Sequence, residues 1–372
     1  MSLPRPSLQL AFLPSDVPAD YGRRIGRLRW RRALGLAKAD EPSALDPAGA
    51  LEGAEICVVV RESRAIPAPL GRPPRVTGAT AVPCVPLPVT EIGSVHTLRE
   101  LERAGWPPPA AAFPATAAPA IAFRPARIPS CAGESVSDYS ARLFSSPTGE
   151  VDPEFRALVF EDRPEHERPE LLRHLPENAR RLCDVGCGAG AAGAAWKKRS
   201  GGHATGIEKD PAAAAVARLR LDRVVEGEAF AVFESLTAAR ETFDAFLFAD
   251  VLEHLEDPVG ALASARQLAA PAATLVASVP NVGHLSLVRD LILGRFDVLP
   301  AGLADAGHLR WFSRSFLDEA LEEAGWRAIG IEALPGEAAS DADAFVAWAS
   351  DFGGANPTSL TTYQWVAIGS PK

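Results

Sequence analysis

The stretch Arg181–Gly190, RLCDVGCGAG, decides the fold of this chain. It predicts a short buried strand that runs directly into a turn, because apolar residues precede three closely spaced glycines, Gly186, Gly188 and Gly190. Glycine has no Cβ, so a turn of this kind lets the backbone come close to a ligand. A helix, AAGAAWKKR, is predicted to follow at once. The free N–H groups at its start would face that ligand.

Two acids near this turn indicate which ligand it would hold. A second predicted strand, HATGIE, ends in Glu208, an acid suited to binding two ribose hydroxyls of a nucleoside. The spacing G-x-G-x-G differs from the G-x-G-x-x-G of enzymes that bind dinucleotides. Asp184, two residues before the first glycine, would repel a pyrophosphate and attract an ammonium group. The sequence therefore predicts a nucleoside cofactor that carries a cationic group.

This combination resembles the S-adenosylmethionine (SAM) site of class I methyltransferases. The segment FDAFLFADVLEHLEDP, Phe243–Pro258, is similar to their fourth strand and the loop after it, and ATLVASVPN, Ala273–Asn281, is similar to their fifth strand. The segments ERPELLRHLP, NVGHLSLVRDLILGRFD and GLADAGHLRWFSRSFLDEALEEAGW resemble a subgroup associated with glycan and small-molecule methylation, which includes ubiquinone-pathway O-methyltransferases. The resemblance covers roughly residues 160 to 370, a typical length for one domain.

The resemblance implies roles for particular residues. The turn would wrap the methionine part of SAM, Asp184 would organise that turn, and Glu208 would hold the ribose. Glu228 would lie near the adenine, where the family often has the shorter Asp. Arg168 would approach the SAM carboxylate or, alternatively, form a surface ion pair with Glu165 or Glu170. The full set expected at the cofactor is Arg168, Asp184, Gly186, Cys187, Gly188, Gly190, Glu208, Lys209, Glu228, Asp250 and Val251.

Three interpretations of His254 stay open at this point. Its ordinary pKa near 6.5 suits a general base that removes a hydroxyl proton at neutral pH. Alternatively, Asp250, Glu253 and His254 could bind a divalent metal such as Mg²⁺, because D-x-x-E-H is similar to the E-x-x-E-H of ubiquinone-pathway O-methyltransferases. In the third interpretation, His254 only holds its loop by hydrogen bonds.

A long connection follows the fifth predicted strand. We interpret residues 281–312 as a lid, because long connections in compact domains often cover binding sites. His284 and His308 within it are further catalytic candidates, and its mixture of polar and aromatic residues suits a polar, ring-shaped acceptor such as a sugar. The alternative is that LVRDLILGRF is a packed amphipathic helix and HLRWF is a structural brace.

The regular alternation of elements from about residue 163 predicts an α/β fold. We expect a Rossmann-like, seven-stranded, mostly parallel sheet with helices on both faces over residues 160–372, and by resemblance an antiparallel last strand. The predicted strands are 180–185, 203–208, 223–226, 243–249, 273–279, 327–333 and 361–369. The predicted helices are 166–175, 190–199, one from Asp210 and Pro211, 258–269, and one from the N-cap Ser313 to Ala324.

Proline sets the first part of the chain apart. Residues 1–140 hold 20 of the 33 prolines, which makes long helices and central strands improbable there. We expect a small, irregular, Pro-rich N-terminal domain of unknown family, with a structural or acceptor-docking role. Within it we predict a strand at 55–63, a helix at 95–106 and a Pro/Ala linker near 107–130.

Composition bounds the partners and the location. A net charge of −9 argues against nucleic acid as the main partner, because phosphate contacts need clustered Lys and Arg. The exception is RRIGRLRWRR, Arg23–Arg32, which could be a solvated helix face or a peripheral contact with an anionic membrane. Five scattered cysteines suggest reduced thiols and a cytoplasmic protein, and we expect no signal peptide and no membrane span. The oligomeric state is not predicted.

These observations together predict a SAM-dependent methyltransferase. We expect it to be O-directed and to act on a glycan, as in polysaccharide biosynthesis, or on a sugar nucleotide or a small metabolite. One alternative is a module that binds SAM but is inactive and serves as a scaffold in a glycan-assembly system. Another is a nicotinamide-dependent oxidoreductase built on a similar sheet.

Overall fold

The computed structural model describes residues 8–12, 56–60, 65–67, 80–81, 84–87, 120–123, 157–160, 166–299, 302–336 and 342–372. The chain divides into two compact units. The first consists of residues 1–162 and 297–307, and the second of residues 163–296 and 308–372. Within the described ranges, no helix is both long and apolar enough to span a bilayer.

Within residues 1–162, the described part of the first unit consists of short strands. These are β1 (Leu8–Phe12), β2 (Ile56–Val60), β3 (Ala65–Pro67), β4 (Thr80–Ala81), β5 (Cys84–Leu87), β6 (Ala120–Phe123) and β7 (Ala157–Phe160). They form a four-stranded sheet in the order β1-β2-β6-β4 and a three-stranded sheet in the order β3-β7-β5.

The distribution of proline explains which of these strands are central. Among the described strands of the first unit, β3 and β5 contain proline (Pro67 and Pro86), and both are edge strands of the smaller sheet, where a missing N–H is tolerated. The proline-free β2 and β6 are inner strands, contrary to the expectation that the prolines of this region disfavour central strands. The strand predicted at 55–63 is present as β2, and β6 lies inside the predicted linker 107–130. The predicted helix at 95–106 and the basic run 23–32 lie outside the described residues.

The second unit contains the predicted seven-stranded sheet. Its strands are β8 (Arg181–Val185), β9 (His203–Glu208), β10 (Arg223–Glu226), β11 (Phe243–Ala249), β12 (Ala269–Pro280), β13 (Trp326–Pro335) and β14 (Thr362–Pro371). The order is β10-β9-β8-β11-β12-β14-β13. All neighbours are parallel except β14, which pairs antiparallel with both β12 and β13. This confirms the Rossmann-like prediction and the antiparallel last strand.

Helices cover both faces of this sheet. They are α1 (Pro169–Leu172), α2 (Ala191–Ser200), α3 (Pro211–Ala217), α4 (Ala229–Ala238), α5 (Pro258–Gln267), α6 (Leu285–Ile292), α7 (Arg314–Glu323), α8 (Ala342–Gly353) and α9 (Pro357–Thr361), with a 3₁₀ turn at Leu252–His254. Successive strand residues point to opposite faces. Accordingly Leu182 belongs to an apolar cluster with α1, α2 and α3, while Cys183 belongs to a second cluster with α4, α5 and α7.

Several elements differ from the sequence predictions. α1 has four residues, shorter than the predicted 166–175, and α4, α8 and α9 were not predicted. α4 buries Ala229, Val232, Phe233 and Leu236, a helical spacing that was readable in the sequence. Part of the predicted lid, 281–312, is the amphipathic helix α6, and residues 297–307 belong to the first unit.

Candidate functional site

The glycine turn after β8 is packed at one glycine and open at another. Gly186, Gly188 and Gly190 have φ values of 64°, 53° and 82°, in the left-handed region that glycine tolerates. A Cβ added at Gly186 would lie 2.5 Å from Val251 Cγ2. A Cβ added at Gly188 would meet nothing within 4 Å. The turn is therefore supported by the loop after β11, and its backbone faces open space at Gly188.

Glu208 fixes this turn to the end of the neighbouring strand. Its Oε2 accepts a hydrogen bond from the Gly188 N–H at 2.8 Å, and its Oε1 accepts one from the Asp210 N–H at 2.8 Å. The Cys187 N–H donates to the Ile207 carbonyl at 3.1 Å and so extends the pairing of β8 with β9 into the turn. The predicted turn and acid are thus brought together, with Glu208 positioned at the open end.

Asp184 is a buried carboxylate beside this turn. Only 2% of it is exposed, and its Oδ2 has no hydrogen-bond partner within the described chain. Burial raises the pKa of Asp184, the Gly193 N–H lowers it and the charge of Glu208 raises it, and the net result is a pKa of about 7. A buried acceptor atom of this kind suits a positively charged ligand group, because such a group would offset the cost of burying the carboxylate.

An ion-pair network lies where β11 and β12 end. Arg168 Nη1 is 2.6 Å from Asp250 Oδ2, and Arg168 Nε is 2.5 Å from Glu170 Oε1. The other oxygen of Asp250 accepts hydrogen bonds from Ser278 Oγ and Gln364 Nε2, each at 2.8 Å. The network therefore joins the segment before α1 to β12, β14 and the loop after β11.

The network settles how Arg168 and Asp250 are held. Burial lowers the pKa of Arg168, but the charges of Asp250 and Glu170 outweigh it, so the pKa is raised overall. The predicted ion pair with Glu170 is present, and the second ion pair, with Asp250, was not anticipated. Nothing in the sequence near Ser278 or Gln364 signalled their part in it, because they lie 28 and 114 residues from Asp250.

A second cluster forms beside this network. Glu253 and His254 belong to the 3₁₀ turn after β11, and each of them and His308 offers a ligand atom within 4.8 Å of the others. Glu253 and His308 are buried, whereas His254 is exposed. The rings of His254 and His308 lie edge to face with centroids 5.0 Å apart. The predicted candidates His254 and His308 are therefore neighbours, and Asp250 does not belong to this group.

His284 has contacts of a different kind. It caps the N-terminus of α6, where its Nδ1 accepts a hydrogen bond from the Ser286 N–H at 3.3 Å, and its ring packs against Tyr363. Burial lowers the pKa of His284 to about 4, so it is neutral at physiological pH. These contacts give His284 a capping function that was not anticipated for this catalytic candidate.

Lys209 and Glu228 are the outlying members of the predicted cofactor set. Both are exposed, and Lys209 Nζ lies 3.7 Å from Glu228 Oε1. Glu228 precedes α4 without capping it. Their expected contacts with the cofactor stay predictions.

Part of the chain is similar to known methyltransferases. Residues 159–330 match a family described as a methyltransferase domain. A ubiquinone biosynthesis O-methyltransferase of Hahella chejuensis is 34% identical over 152 residues, 38% of this chain and 63% of that protein. Its counterpart in Cereibacter sphaeroides strain ATCC 17025 is 33% identical over 140 residues, 37% of this chain and 56% of that protein. The chain thus spans less than two thirds of either relative. A SAM-dependent methyltransferase structure from Archaeoglobus fulgidus has 19% identity and a TM-score of 0.39, and covers 52% of this chain and 87% of that chain.

Proposed function

We propose that residues 159–330 form a class I SAM-dependent methyltransferase domain. In this proposal the chain transfers the methyl group of SAM to a hydroxyl of a small molecule. The observation that carries the proposal is the open glycine turn whose Gly188 N–H is held by the Glu208 carboxylate. Ligands of open α/β sheets bind at the carboxyl ends of the strands, and this turn lies at that edge.

Two features support the fit of SAM to this edge. The open space at Gly188 lets a ligand approach the backbone, and Glu208 would exchange its bond to Gly188 for the ribose hydroxyls. The buried Oδ2 of Asp184, which has no partner within the described chain, suits the positive end of the cofactor. When bound, SAM supplies an electrophilic methyl group on a sulfonium.

The chain itself has to hold the acceptor and help to remove its proton. An in-line transfer needs the acceptor oxygen close to the methyl carbon, and positioning of this kind accounts for much of the rate of such reactions. The cluster of Glu253, His254 and His308 follows β11 and carries the groups that can take up or offset that proton. The Arg168–Asp250 network beside it would hold the loop in place.

The acceptor we propose is a ring-bearing small molecule. The rings of Phe296 and Trp311 lie 5.2 Å apart, and Trp311 also packs against His308 at 5.7 Å. Phe296 is 44% exposed and Leu309 is 42% exposed, so apolar surface is available near the cluster. The curated relatives are named for ubiquinone biosynthesis, which favours a small molecule over the glycan or sugar nucleotide expected from the sequence.

The test is methyl transfer from SAM with a radiolabelled methyl group to a fractionated extract of the source cells. The proposal expects label in an organic-soluble small-molecule fraction, and loss of that label in the Glu208→Gln variant. Label in a glycan or sugar-nucleotide fraction would overturn the proposed acceptor class. Absence of label with a protein that binds SAM would favour an inactive scaffold module.

A further inference from the structure

We propose that Glu253, His254 and His308 bind one divalent transition-metal ion of the zinc class. The three side chains come from two separate segments, the 3₁₀ turn Leu252–His254 and the start of the segment 308–312. The ligand set departs from the D-x-x-E-H pattern, because His308 takes the place of Asp250.

The geometry needs only a small closure. The three ligand atoms lie within 4.8 Å of one another. Ligand atoms that each lie about 2.1 Å from one tetrahedral zinc ion are about 3.4 Å apart. His254 is exposed and can turn toward the two buried groups. Each pair of ligand atoms therefore has to approach by at most about 1.4 Å to reach coordination distance.

The backbone holds the two segments together without an ion. The carbonyl of Glu253 accepts hydrogen bonds from the N–H groups of Leu309 and Arg310, at 2.8 and 3.0 Å. The guanidinium of Arg310 also donates to the Glu256 carbonyl. His308 is thus fixed next to Glu253 by main-chain contacts, so much of the entropy of assembling the site has been lost already on folding.

The donor atoms select the class of metal. Two imidazole nitrogens and one carboxylate oxygen suit zinc and neighbouring transition metals, whereas Mg²⁺ prefers oxygen ligands. Asp250 is not available as a further oxygen ligand, because its two carboxylate oxygens are engaged by Arg168, Ser278 and Gln364. Three protein ligands leave a fourth position for water or another oxygen.

The proposal does not depend on methyl transfer, since its first readout is metal binding. It does bear on the role of His254. An imidazole nitrogen that binds a metal has no lone pair for a proton, so His254 would then position the ion and would not act as a general base. A metal titration therefore distinguishes a His254 that binds an ion from a His254 that acts as a general base.

The test uses the full chain, stripped with EDTA, dialysed, and titrated with Co²⁺ while its visible absorption is followed. Added Zn²⁺ then competes. We expect saturation at one Co²⁺ per chain, displacement by Zn²⁺, and little effect of a large excess of Mg²⁺. The variants His254→Ala and His308→Ala should each weaken binding by at least about tenfold. No saturable absorption in the folded wild-type protein would overturn the proposal.

Two control variants make the ligand set specific. His174→Ala removes a histidine that pairs with Glu332 elsewhere in the second unit, and it should bind Co²⁺ as the wild type does. Asp250→Asn should also retain binding. The reverse pattern, in which Asp250→Asn loses the ion and His308→Ala keeps it, would contradict the proposed set. Because His254 is exposed, its alanine variant is expected to fold, and far-UV circular dichroism checks this for each protein.

Discussion

Arg168 and Asp250 lie 82 residues apart in the chain, yet their side chains meet at 2.6 Å and both have a left-handed backbone with φ of 55°. Neither is glycine, so each position costs of the order of 1 to 3 kcal/mol unless the surroundings hold it. Strain of this kind is found preferentially at functional sites. We therefore expect this pair to matter both for the stability of the second unit and for the proposed acceptor site.

Disruption of this pair should reveal a coupling between its members. We expect Arg168→Gln and Asp250→Asn each to lower the free energy of unfolding by about 1 to 3 kcal/mol, because a charged hydrogen bond is lost in a partly buried place. The double variant should fall short of additivity by about 1 kcal/mol in a urea-unfolding cycle. The exposed pair Arg173–Glu332 is the matched control and should show a coupling below about 1 kcal/mol. Additive effects at Arg168 and Asp250 would refute this.

Alanine at two glycines of the turn should separate strain from steric overlap. Gly186→Ala and Gly188→Ala share a positive φ, so each should lose about 1 kcal/mol of stability. Of the two variants, only Gly186→Ala would also place its new Cβ 2.5 Å from Val251 Cγ2, so it should unfold at a clearly lower temperature than Gly188→Ala. Gly188→Ala should stay folded but lose affinity for S-adenosylhomocysteine. Equal melting temperatures, or unchanged affinity in Gly188→Ala, would count against this description of the turn.

The carboxylate of Glu208 should matter more for ligand binding than for stability. We expect Glu208→Gln to weaken S-adenosylhomocysteine binding by at least about tenfold, since one charged hydrogen-bond acceptor is worth about 1.5 kcal/mol or more. Glu226→Gln is the matched control, because Glu226 is the register partner of Glu208 on β10 and its carboxylate accepts a hydrogen bond from Arg218. Isothermal titration calorimetry measures both. Equal affinities would remove Glu208 from the site.

Asp184 should make stability depend on pH in a defined direction. Its pKa is about 7 in the folded chain against 3.8 in the unfolded chain, so the folded state holds the proton more tightly. Its contribution to stability is therefore present below about pH 4 and is lost as pH rises to about 7. Relative to the wild type, Asp184→Asn should therefore gain stability as the pH rises from about 4 to about 7 in urea unfolding. A difference that does not change with pH would contradict the assignment.

His284 should behave as a cap and not as a catalytic group. His284→Ala should lose about 1 kcal/mol of stability, and His284→Asn should recover part of it, because Asn is a favoured N-cap residue. With its pKa lowered to about 4, His284 stays neutral over the usual assay range. His284→Asn should therefore keep most of any methyl transfer, with an unchanged pH profile. A loss of about 100-fold, typical for removal of a general base, would restore the catalytic interpretation.

The parts of the site predicted from sequence are those encoded locally. The strand, the glycine turn and Glu208 lie within one βαβ unit, where spacing translates directly into geometry. The mostly parallel seven-stranded sheet was predicted from the alternation of elements, and its antiparallel last strand from the resemblance to class I methyltransferases.

The parts missed depend on how distant segments meet. Gln364 binds Asp250 across 114 residues, and His308 lies next to Glu253 because the two N–H groups that follow His308 donate to the Glu253 carbonyl. No pattern of spacing in the sequence encodes these contacts. By contrast, α4 was missed although Val232, Phe233 and Leu236 carry the helical period, so that omission reflects the interpretation and not the sequence.

Binding of S-adenosylhomocysteine to the full chain, measured by isothermal titration calorimetry, tests the central claim most directly. The account predicts saturable binding of one molecule per chain, lost or strongly weakened in Glu208→Gln and kept in Glu226→Gln. A folded protein that binds neither S-adenosylhomocysteine nor SAM would contradict it, and stabilisation by NAD or NADP instead would identify a nicotinamide-dependent enzyme.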